Sequence, residues 1–421
     1  MRSSTHTHRL AAALVAALVM AASSVAVTSP ADARVTAQAR GFDGTTITVG
    51  GLGNMATVGA AQVGAKARIE RFNKTHEIKG VKIDYVGFED DKGDPATALT
   101  QARKLVTQDR VFAIVGDSSS YNPSEFLTQQ KVPFFGWGYE KAYCAPKPTT
   151  SLWGFGYASC QVNTHPAVVV DFAGKVYSYV SQQLGKKHPT VAMIANDTDT
   201  GASTVHQNVI AYTGAGFDVV YSKSTVPATP VADFSPYVGQ LLTADHGTAP
   251  DVVTCLMALE CVSIYNLMTA QGFKGIFQHA LYTDFFVKPF KDTIVTASNA
   301  NLSATDIPAL ARLKTDLAAV APNTKLDGVI FSGYSSTDMF IQALKKAAKR
   351  GKSGITPQNI QKIASKMTWQ LKGLTGPTVY PTATNREEPY CTGLFKSDGT
   401  QWVTVAPYSC SSKTYPFKPA K

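Results

Sequence analysis

The sequence predicts an α/β protein with two similar lobes, each a parallel β-sheet with helices on both faces. Residues 45–156 alternate between short apolar strands and amphipathic helices, and a second series of the same kind begins near Val162. The 421 residues exceed what one ordinary domain needs and suffice for two cores. With 44% hydrophobic and 17% charged residues, the composition is that of a folded globular protein.

Residues 1–33 are predicted to be a signal peptide. Arg2 and Arg9 give a positive start, residues 10–22 form an apolar run, and Ala-Asp-Ala at residues 31–33 supplies a cleavage site. The apolar run is shorter than the roughly 20 residues that a membrane helix needs. Because no cysteine lies near the cleavage site, a lipid anchor is not expected. We therefore expect an exported, soluble protein, periplasmic or at the cell envelope, with a flexible leader at residues 34–44.

The first series reads as strand and helix in turn. Asp94 and Pro95 predict a helix start, as a side-chain cap followed by a residue that needs no N–H in the first turn. The expected strands are residues 45–49, 81–85, 111–115, 132–135 and 149–156. The expected helices cover residues 59–72, the stretch after Asp94, and residues 123–130.

The second series repeats this alternation on a different sequence. Val168, Phe172, Val176 and Val180 recur every four residues and predict a helix. The expected strands are residues 191–195, 217–221, 252–258 and 275–280, and the further helices are one through Val205, Val209 and Tyr212 and one over residues 260–271.

The last part of the chain is expected to return to the first lobe and then cross again. Residues 309–320, 339–351 and 357–367 predict helices, and the apolar residues 328–332 predict a strand. Residues 392–395 and 402–405 predict a hairpin, because Asp398-Gly399 between them suits a tight turn.

Several of these segments together resemble type I periplasmic binding proteins, in particular the branched-chain amino-acid-binding components of ABC importers. The resemblance rests on Glu-Asp-Asp at residues 89–91, Gly-Asp-Pro at residues 93–95, the alanine-rich helix, and VFAIVG followed by serines, and it runs from about residue 45 to about residue 405. It implies two Rossmann-like lobes joined by a three-crossover hinge. The implied lobes are residues 45–161 plus 297–388 and residues 162–296 plus 389–421.

Candidate ligand contacts in the first lobe follow predicted strands, since open α/β sheets bind ligands at the carboxyl ends of their strands. Ser118 and Ser119 follow the strand at residues 111–115, and a serine here receives the main-chain group of the amino acid in relatives. Gly138 and Tyr139 lie where relatives use backbone groups to hold the carboxylate and ammonium groups of the amino acid. Asn54 and Met55, in the first loop, face the same expected edge. The aromatic-rich residues 134–143, with Trp153 and Tyr157, hint at an apolar or aromatic part of the ligand.

The second lobe is expected to complete the site from its own strand ends. Asp199 and Thr200 follow the strand at residues 191–195, and Met257 ends the strand at residues 252–258. Relatives place an acidic partner for the ligand ammonium near Tyr282 and Asp284, so both are candidates. For each, a helix cap or a solvated turn is the competing explanation.

The six cysteines of an exported chain point to disulfides. Proximity in sequence favours Cys144–Cys160, Cys255–Cys261 and Cys391–Cys410, although six cysteines allow fifteen connectivities. A zinc site is not expected because the cysteine spacing does not fit one. The G-x-G-x-x-A pattern at residues 51–56 and the acidic residues 89–94 match a dinucleotide site and a calcium loop only in part. No metal or cofactor is expected.

The formal charge of +10 comes without the clustered basic and aromatic residues that nucleic-acid binding needs. The preferred interpretation is a solute-binding protein, not an enzyme, that captures a small polar or amphipathic molecule, such as an amino acid, organic acid or amide, in a cleft and delivers it to an ABC permease. A monomer is expected. Alternatives are a sensor ectodomain and an exported hydrolase or other enzyme. No G-x-S-x-G motif is present, and histidines such as His206 and His279 stand in unrelated contexts.

Overall fold

The structure, a computed structural model, describes residues 39–138, 141–144, 153–159, 168–379 and 390–418. All of them belong to one unit that spans residues 38–421. The predicted signal peptide and residues 34–38 of the predicted leader lie outside the described residues. None of the described helices is long and apolar enough to cross a membrane.

Five parallel strands form the first sheet, in the spatial order β2-β1-β3-β4-β5. They are β1 (Thr46–Gly53), β2 (Lys82–Asp90), β3 (Ala113–Asp117), β4 (Phe134–Gly136) and β5 (Gly154–Gly156). Every residue of β3 is buried, as expected for a central strand that helices cover on both faces.

The helices of this part are α1 (Met55–Val58), α2 (Ala61–Lys74), α3 (Pro95–Arg103) and α4 (Ser124–Gln129). The predicted start of α3 is confirmed: Asp94 Oδ2 accepts a hydrogen bond from Thr97 N at 2.7 Å, with Pro95 in the first turn. A π-helical segment, Lys104–Gln108, continues α3, and Lys141–Tyr143 forms a single 3-10 turn.

The second series contains strands and helices that alternate again. In chain order they are β6 (Val168–Val170), α5 (Gly174–Leu184), β7 (Thr190–Asn196), α6 (Asp199–Ala215), β8 (Asp218–Val226), α7 (Ser235–Leu242), β9 (Val252–Cys255), α8 (Glu260–Ala270), β10 (Ile276–His279) and β11 (Ile294–Ala297). Helix α7 and strand β11 are additions that the sequence patterns did not predict.

The remaining elements return to both sheets. They are α9 (Pro308–Val320), α10 (Gly328–Ala348), α11 (Pro357–Ala364), β12 (Thr368–Trp369), β13 (Thr378–Val379), β14 (Tyr390–Ser397), β15 (Trp402–Ser411) and β16 (Thr414–Pro416). The predicted hairpin is confirmed as β14 and β15, and Asp398 Oδ1 accepts hydrogen bonds from the amides of Thr400 and Gln401 in its turn.

The second sheet has seven strands in the order β15-β14-β11-β10-β9-β7-β8. Its strands β7 to β11 run parallel, β14 is antiparallel to β11, and β15 is antiparallel to β14. Helices α9, α10 and α11 instead share one hydrophobic core with the first sheet. The fold is therefore α/β with two lobes: lobe 1 holds the first sheet with α9–α11, and lobe 2 holds the second sheet. The crossings predicted near Gln161 and Pro389 lie outside the described residues.

Two predictions of secondary structure were wrong. Residues 328–332 begin helix α10, whose cap is Asp327 through a 2.8 Å hydrogen bond from Ile330 N to Oδ1. A buried helix and a buried strand are both continuous apolar runs over a few residues, which explains the error. Val168 lies in strand β6, because this segment pairs with β16 near the end of the chain, and the helix begins only at Gly174.

A buried charge network ties α2 to α10 in lobe 1. Arg68 is 2% exposed, and its Nε lies 2.6 Å from Asp338 Oδ1 while its other nitrogens donate to both carboxylate oxygens of Glu77. Lys345 also pairs with Glu77 at 2.8 Å. Although burial opposes the charge, the hydrogen bonds and charges of Arg68 and Lys345 lower the pKa of Glu77 to about 2. The carboxylate is thus ionised wherever the fold is intact near neutral pH.

Two of the predicted cysteine pairs are disulfides in the structure. Cys255–Cys261 joins the end of β9 to α8, and Cys391–Cys410 joins β14 to β15. Cys144 is also disulfide-bonded, and Cys160, its predicted partner, lies outside the described residues.

Candidate functional site

A cleft of about 990 Å³ lies between the two lobes, with walls from both. Lobe 1 contributes the loops that follow β1, β2 and β3, and lobe 2 contributes those that follow β7, β9 and β10. These loops lie at the carboxyl ends of parallel strands, where open α/β sheets bind ligands. The volume lies at the upper end of the range for small-molecule pockets, which is about 300–1,000 Å³.

The serine loop after β3 is organised around the Asp117 carboxylate. This group is fully buried and accepts hydrogen bonds from Ser119 N at 3.2 Å, from Tyr143 OH at 2.9 Å and from the side-chain amide of Asn122. Burial raises the pKa of Asp117 to about 7, against the hydrogen bonds that lower it, and the charge of Asp91 raises it further. Lobe 1 thus holds the loop with a buried carboxyl group that lies behind the cleft wall.

The two candidate serines have different surroundings. Ser118 lines the cleft, and its Oγ makes only a long contact of 3.4 Å with Gly116 O. Ser119 is 0% exposed and does not line the cleft; its Oγ donates to Asp91 Oδ2 at 2.6 Å and accepts from Tyr121 N at 3.1 Å. Of the pair, Ser118 has the hydroxyl that is free to turn towards a ligand.

The first loop presents Asn54 but not Met55 to the cleft. Asn54 lines the cleft and also caps α1, since its Oδ1 accepts from Ala56 N at 3.0 Å. Met55 is 40% exposed outside the lining, and its amide donates to Asp90 Oδ1 at 2.9 Å.

The loop after β4 contributes a side chain that the sequence analysis named only within the aromatic-rich residues 134–143, not as a candidate contact. Trp137 lines the cleft, whereas Gly138 is buried outside the lining with a φ of +97°. A Cβ at Gly138 would lie 2.1 Å from Ser159 O, so this position requires glycine for backbone packing. Tyr139 lies outside the described residues.

In lobe 2, four of the five candidates line the cleft: Asp199, Thr200, Met257 and Tyr282. Asp199 and Thr200 form the first turn of α6, which Thr198 caps through a 2.9 Å hydrogen bond from Gly201 N. The ring of Tyr282 packs on Phe395 at 4.7 Å between centroids, and burial raises the pKa of its hydroxyl.

Asp284, the candidate partner for a ligand ammonium, lies outside the lining. Its Oδ2 is 2.7 Å from Lys325 Nζ in an ion pair at the surface. The neighbouring Phe285 does line the cleft and is 61% exposed.

His279 and Tyr157 are lining residues outside the list of candidate contacts, although the sequence analysis had taken Tyr157 as a hint at an aromatic or apolar part of the ligand. Tyr157 follows β5, packs edge-on against Phe331 and Trp369, and has its pKa raised to about 12 by burial. His279 ends β10 and is 2% exposed. The strand-end argument that selected Ser118 applies equally to His279, which the sequence analysis considered only as a candidate for catalysis.

Charged side chains are few among the described residues that line the cleft. They are Asp91, Lys92, Asp199 and Glu260. Asp91 is buried under Ser119, and Glu260 accepts a 3.3 Å hydrogen bond from Ala258 N. Most other lining groups are hydroxyls, amides, aromatic rings and aliphatic chains. Within the part of the chain that the structure describes, no group of three or more His, Cys, Asp or Glu side chains is placed to hold a metal ion.

Comparison with known proteins gives one family and many similar folds. A family model described as "Periplasmic binding protein" matches residues 44–391. No match was found among curated protein sequences.

Three solved structures illustrate the likeness of fold. The fatty acid ABC transporter substrate-binding protein from Thermomonospora curvata has a TM-score of 0.68 at 19% identity, covering 89% of this chain and 95% of that one. The branched-chain amino acid transporter substrate binding protein LivJ from Streptococcus pneumoniae, in complex with isoleucine, has a TM-score of 0.63 at 18% identity. The match covers 87% of this chain and 100% of that one. An R. palustris ABC transporter solute binding protein in complex with 4-hydroxybenzoate has a TM-score of 0.64 at 18% identity. The match covers 87% of this chain and 98% of that one.

Proposed function

Because the chain belongs to the periplasmic binding protein family, we propose that it captures a small solute in the cleft between its lobes and delivers it to an ABC permease. The observation that carries this proposal is the cleft of about 990 Å³ with walls from both lobes. A ligand that contacts both walls binds the closed arrangement more tightly than the open one, and so shifts the population towards closure.

The lining favours an amphipathic ligand over a free amino acid. Met257, Tyr282 and Phe285 offer apolar surface in lobe 2, and Tyr157 and Trp137 offer it in lobe 1. The carboxylate that was expected to pair with a ligand ammonium, that of Asp284, is instead paired with Lys325 outside the lining. Of the similar structures named above, one is a fatty acid ABC transporter substrate-binding protein and the other two are complexes with isoleucine and with 4-hydroxybenzoate. Each of these molecules has an apolar part.

The proposed contacts come from both lobes. Ser118 and Asn54 would hold polar groups of the ligand from lobe 1, and Asp199, Thr200, Met257 and Tyr282 would complete the site from lobe 2 on closure. We also propose that residues 1–33 direct export, that the lobe borders lie near residues 161, 297 and 389, and that the protein acts as a monomer.

A panel with two apolar bodies and three head groups tests the proposal. Phenylacetamide, phenylacetate and phenylalanine share a benzyl body, and 4-methylpentanamide, 4-methylpentanoate and leucine share a branched aliphatic one. The proposal expects at least one member to raise Tm and to bind by calorimetry without being consumed. Binding with release of a product, detected by mass spectrometry, would instead indicate an enzyme. No binding to any member would contradict the proposed ligand class.

A further inference from the structure

His279 lies in the lobe 2 wall of the cleft, at the carboxyl end of β10. It lines the cleft although the residue is only 2% exposed. Its neighbours along this wall are neutral: Gln278 accepts a hydrogen bond from Tyr212 OH at 2.5 Å, and Thr254 lies opposite Gln278 on the adjacent strand β9. The imidazole is therefore part of an uncharged polar floor.

Three aromatic side chains fix the plane of the imidazole ring. It stacks on Phe290 with 4.0 Å between centroids and an interplanar angle of 17°. Trp402 lies at 5.4 Å and Phe286 at 6.1 Å. Such packing holds the ring in one plane, so its two nitrogens lie at the edge of a fixed ring.

Neither ring nitrogen of His279 has a hydrogen-bond partner among the described residues. Burial lowers the pKa of His279 to about 3, so the ring is neutral at physiological pH. A neutral imidazole carries one donor and one acceptor, and leaving both unpaired in a buried position is unfavourable. A bound molecule that supplies the missing partner would remove that cost.

We propose that His279 determines ligand specificity in lobe 2. Its ring donates a hydrogen bond to, or accepts one from, an uncharged amide or hydroxyl group of the ligand. The apolar body of that ligand lies against the neighbouring aromatic and aliphatic side chains. This inference rests on the proposed function and narrows its ligand class. An ammonium group is disfavoured beside this neutral imidazole, because Gln278 and Thr254, the polar residues next to it in the wall, carry no charge.

The test measures binding of phenylacetamide, phenylacetate and phenylalanine to the full chain and to two variants. His279→Phe keeps an aromatic ring on Phe290 and removes both nitrogens, whereas His279→Gln keeps a donor and an acceptor. His188→Gln, at an exposed histidine outside the cleft, is the matched control. The inference expects phenylacetamide to bind the wild type most tightly, His279→Phe to weaken its Kd by about 10- to 100-fold, and His279→Gln to retain most of the affinity. The Tm of ligand-free His279→Phe should be unchanged or higher.

A second measurement does not depend on whether a variant folds. Imidazole ¹H–¹⁵N NMR of the wild type should show the ring signals of His279 move when phenylacetamide is added, while those of His188 stay in place. Equal affinity of wild type and His279→Phe, or ring signals that do not move on saturation, would overturn the inference and leave the proposed function intact. If no molecule of the panel binds the wild type, the proposed ligand class fails and this inference fails with it.

Discussion

The substitution Ser119→Ala tests how the serine loop is built. The Ser119 hydroxyl donates to Asp91 Oδ2 at 2.6 Å and accepts from Tyr121 N at 3.1 Å, and both Ser119 and Asp91 are 0% exposed. A hydrogen bond to a charged group contributes about 1.5–3 kcal/mol, and a buried partner left unsatisfied costs about 1–3 kcal/mol. Because Asp91 keeps its 2.8 Å bond from Gly93 N, we expect a loss of about 2 kcal/mol in the free energy of unfolding.

Ser118→Ala is the matched control in the same loop. Its hydroxyl makes only the 3.4 Å contact with Gly116 O, so the free energy of unfolding should change by less than about 0.5 kcal/mol. Equilibrium urea unfolding measures both variants, with an unchanged m value showing that only stability has changed. In calorimetry with a bound probe, Ser118→Ala should weaken the Kd by about tenfold. Equal stability of the two variants would refute the assignment of one serine to the fold and the other to the ligand.

Three further predictions concern stability, each measured by urea unfolding. Arg68→Met should lower the free energy of unfolding by about 3 kcal/mol because it removes the buried cation that pairs with both Asp338 and Glu77. Lys186→Met, at a surface pair of 2.7 Å, should cost at most about 1 kcal/mol, and similar losses from the two variants would contradict the network. Folding lowers the pKa of His279 to about 3, so the neutral ring contributes to the free energy of unfolding above its usual pKa of about 6.5, and this contribution is lost as pH falls towards 3. Between pH 7.5 and pH 5 the wild type should therefore lose about 2 kcal/mol of stability relative to His279→Phe. Parallel curves of stability against pH for the two proteins would disprove this. Replacing both cysteines of a disulfide by alanine should cost more stability for the longer loop, because closing it removes more entropy from the unfolded chain. The expected losses are about 3 kcal/mol for Cys391–Cys410, with a separation of 19 residues, and about 2 kcal/mol for Cys255–Cys261, with a separation of 6. A larger loss at Cys255–Cys261 would contradict this explanation.

Local patterns in the sequence predicted much of the fold. The cap at Asp94 and the turn at Asp398-Gly399 depend on neighbouring residues only, and both are in the structure as expected. Buried parallel strands such as β3 and β7 are also recognisable, because they are short apolar runs bounded by polar loops.

Errors arose where distant parts of the chain decide the local structure. Val168 becomes part of a strand because residues near position 415 pair with it, and no window around Val168 contains that information. Residues 328–332 form a helix because Asp327 caps it and lobe 1 buries it, whereas apolar content alone fits a strand equally well.

In the candidate site, too, local patterns predicted correctly and contacts between distant residues were missed. The strand-end rule selected Ser118, Thr200 and Met257, all of which line the cleft. The roles of Asp284 and Ser119 depend on Lys325 and Asp91, partners that are 41 and 28 residues away in sequence. His279 stands out only when its ring neighbours and its unpaired nitrogens are seen together.

Small-angle X-ray scattering with and without a saturating probe tests closure of the lobes most directly. The probe is whichever molecule of the panel binds the wild-type protein by calorimetry. We expect the radius of gyration to fall on binding, since a ligand held by both walls of the cleft favours the closed arrangement. A radius of gyration that stays the same at saturation would contradict capture by closure.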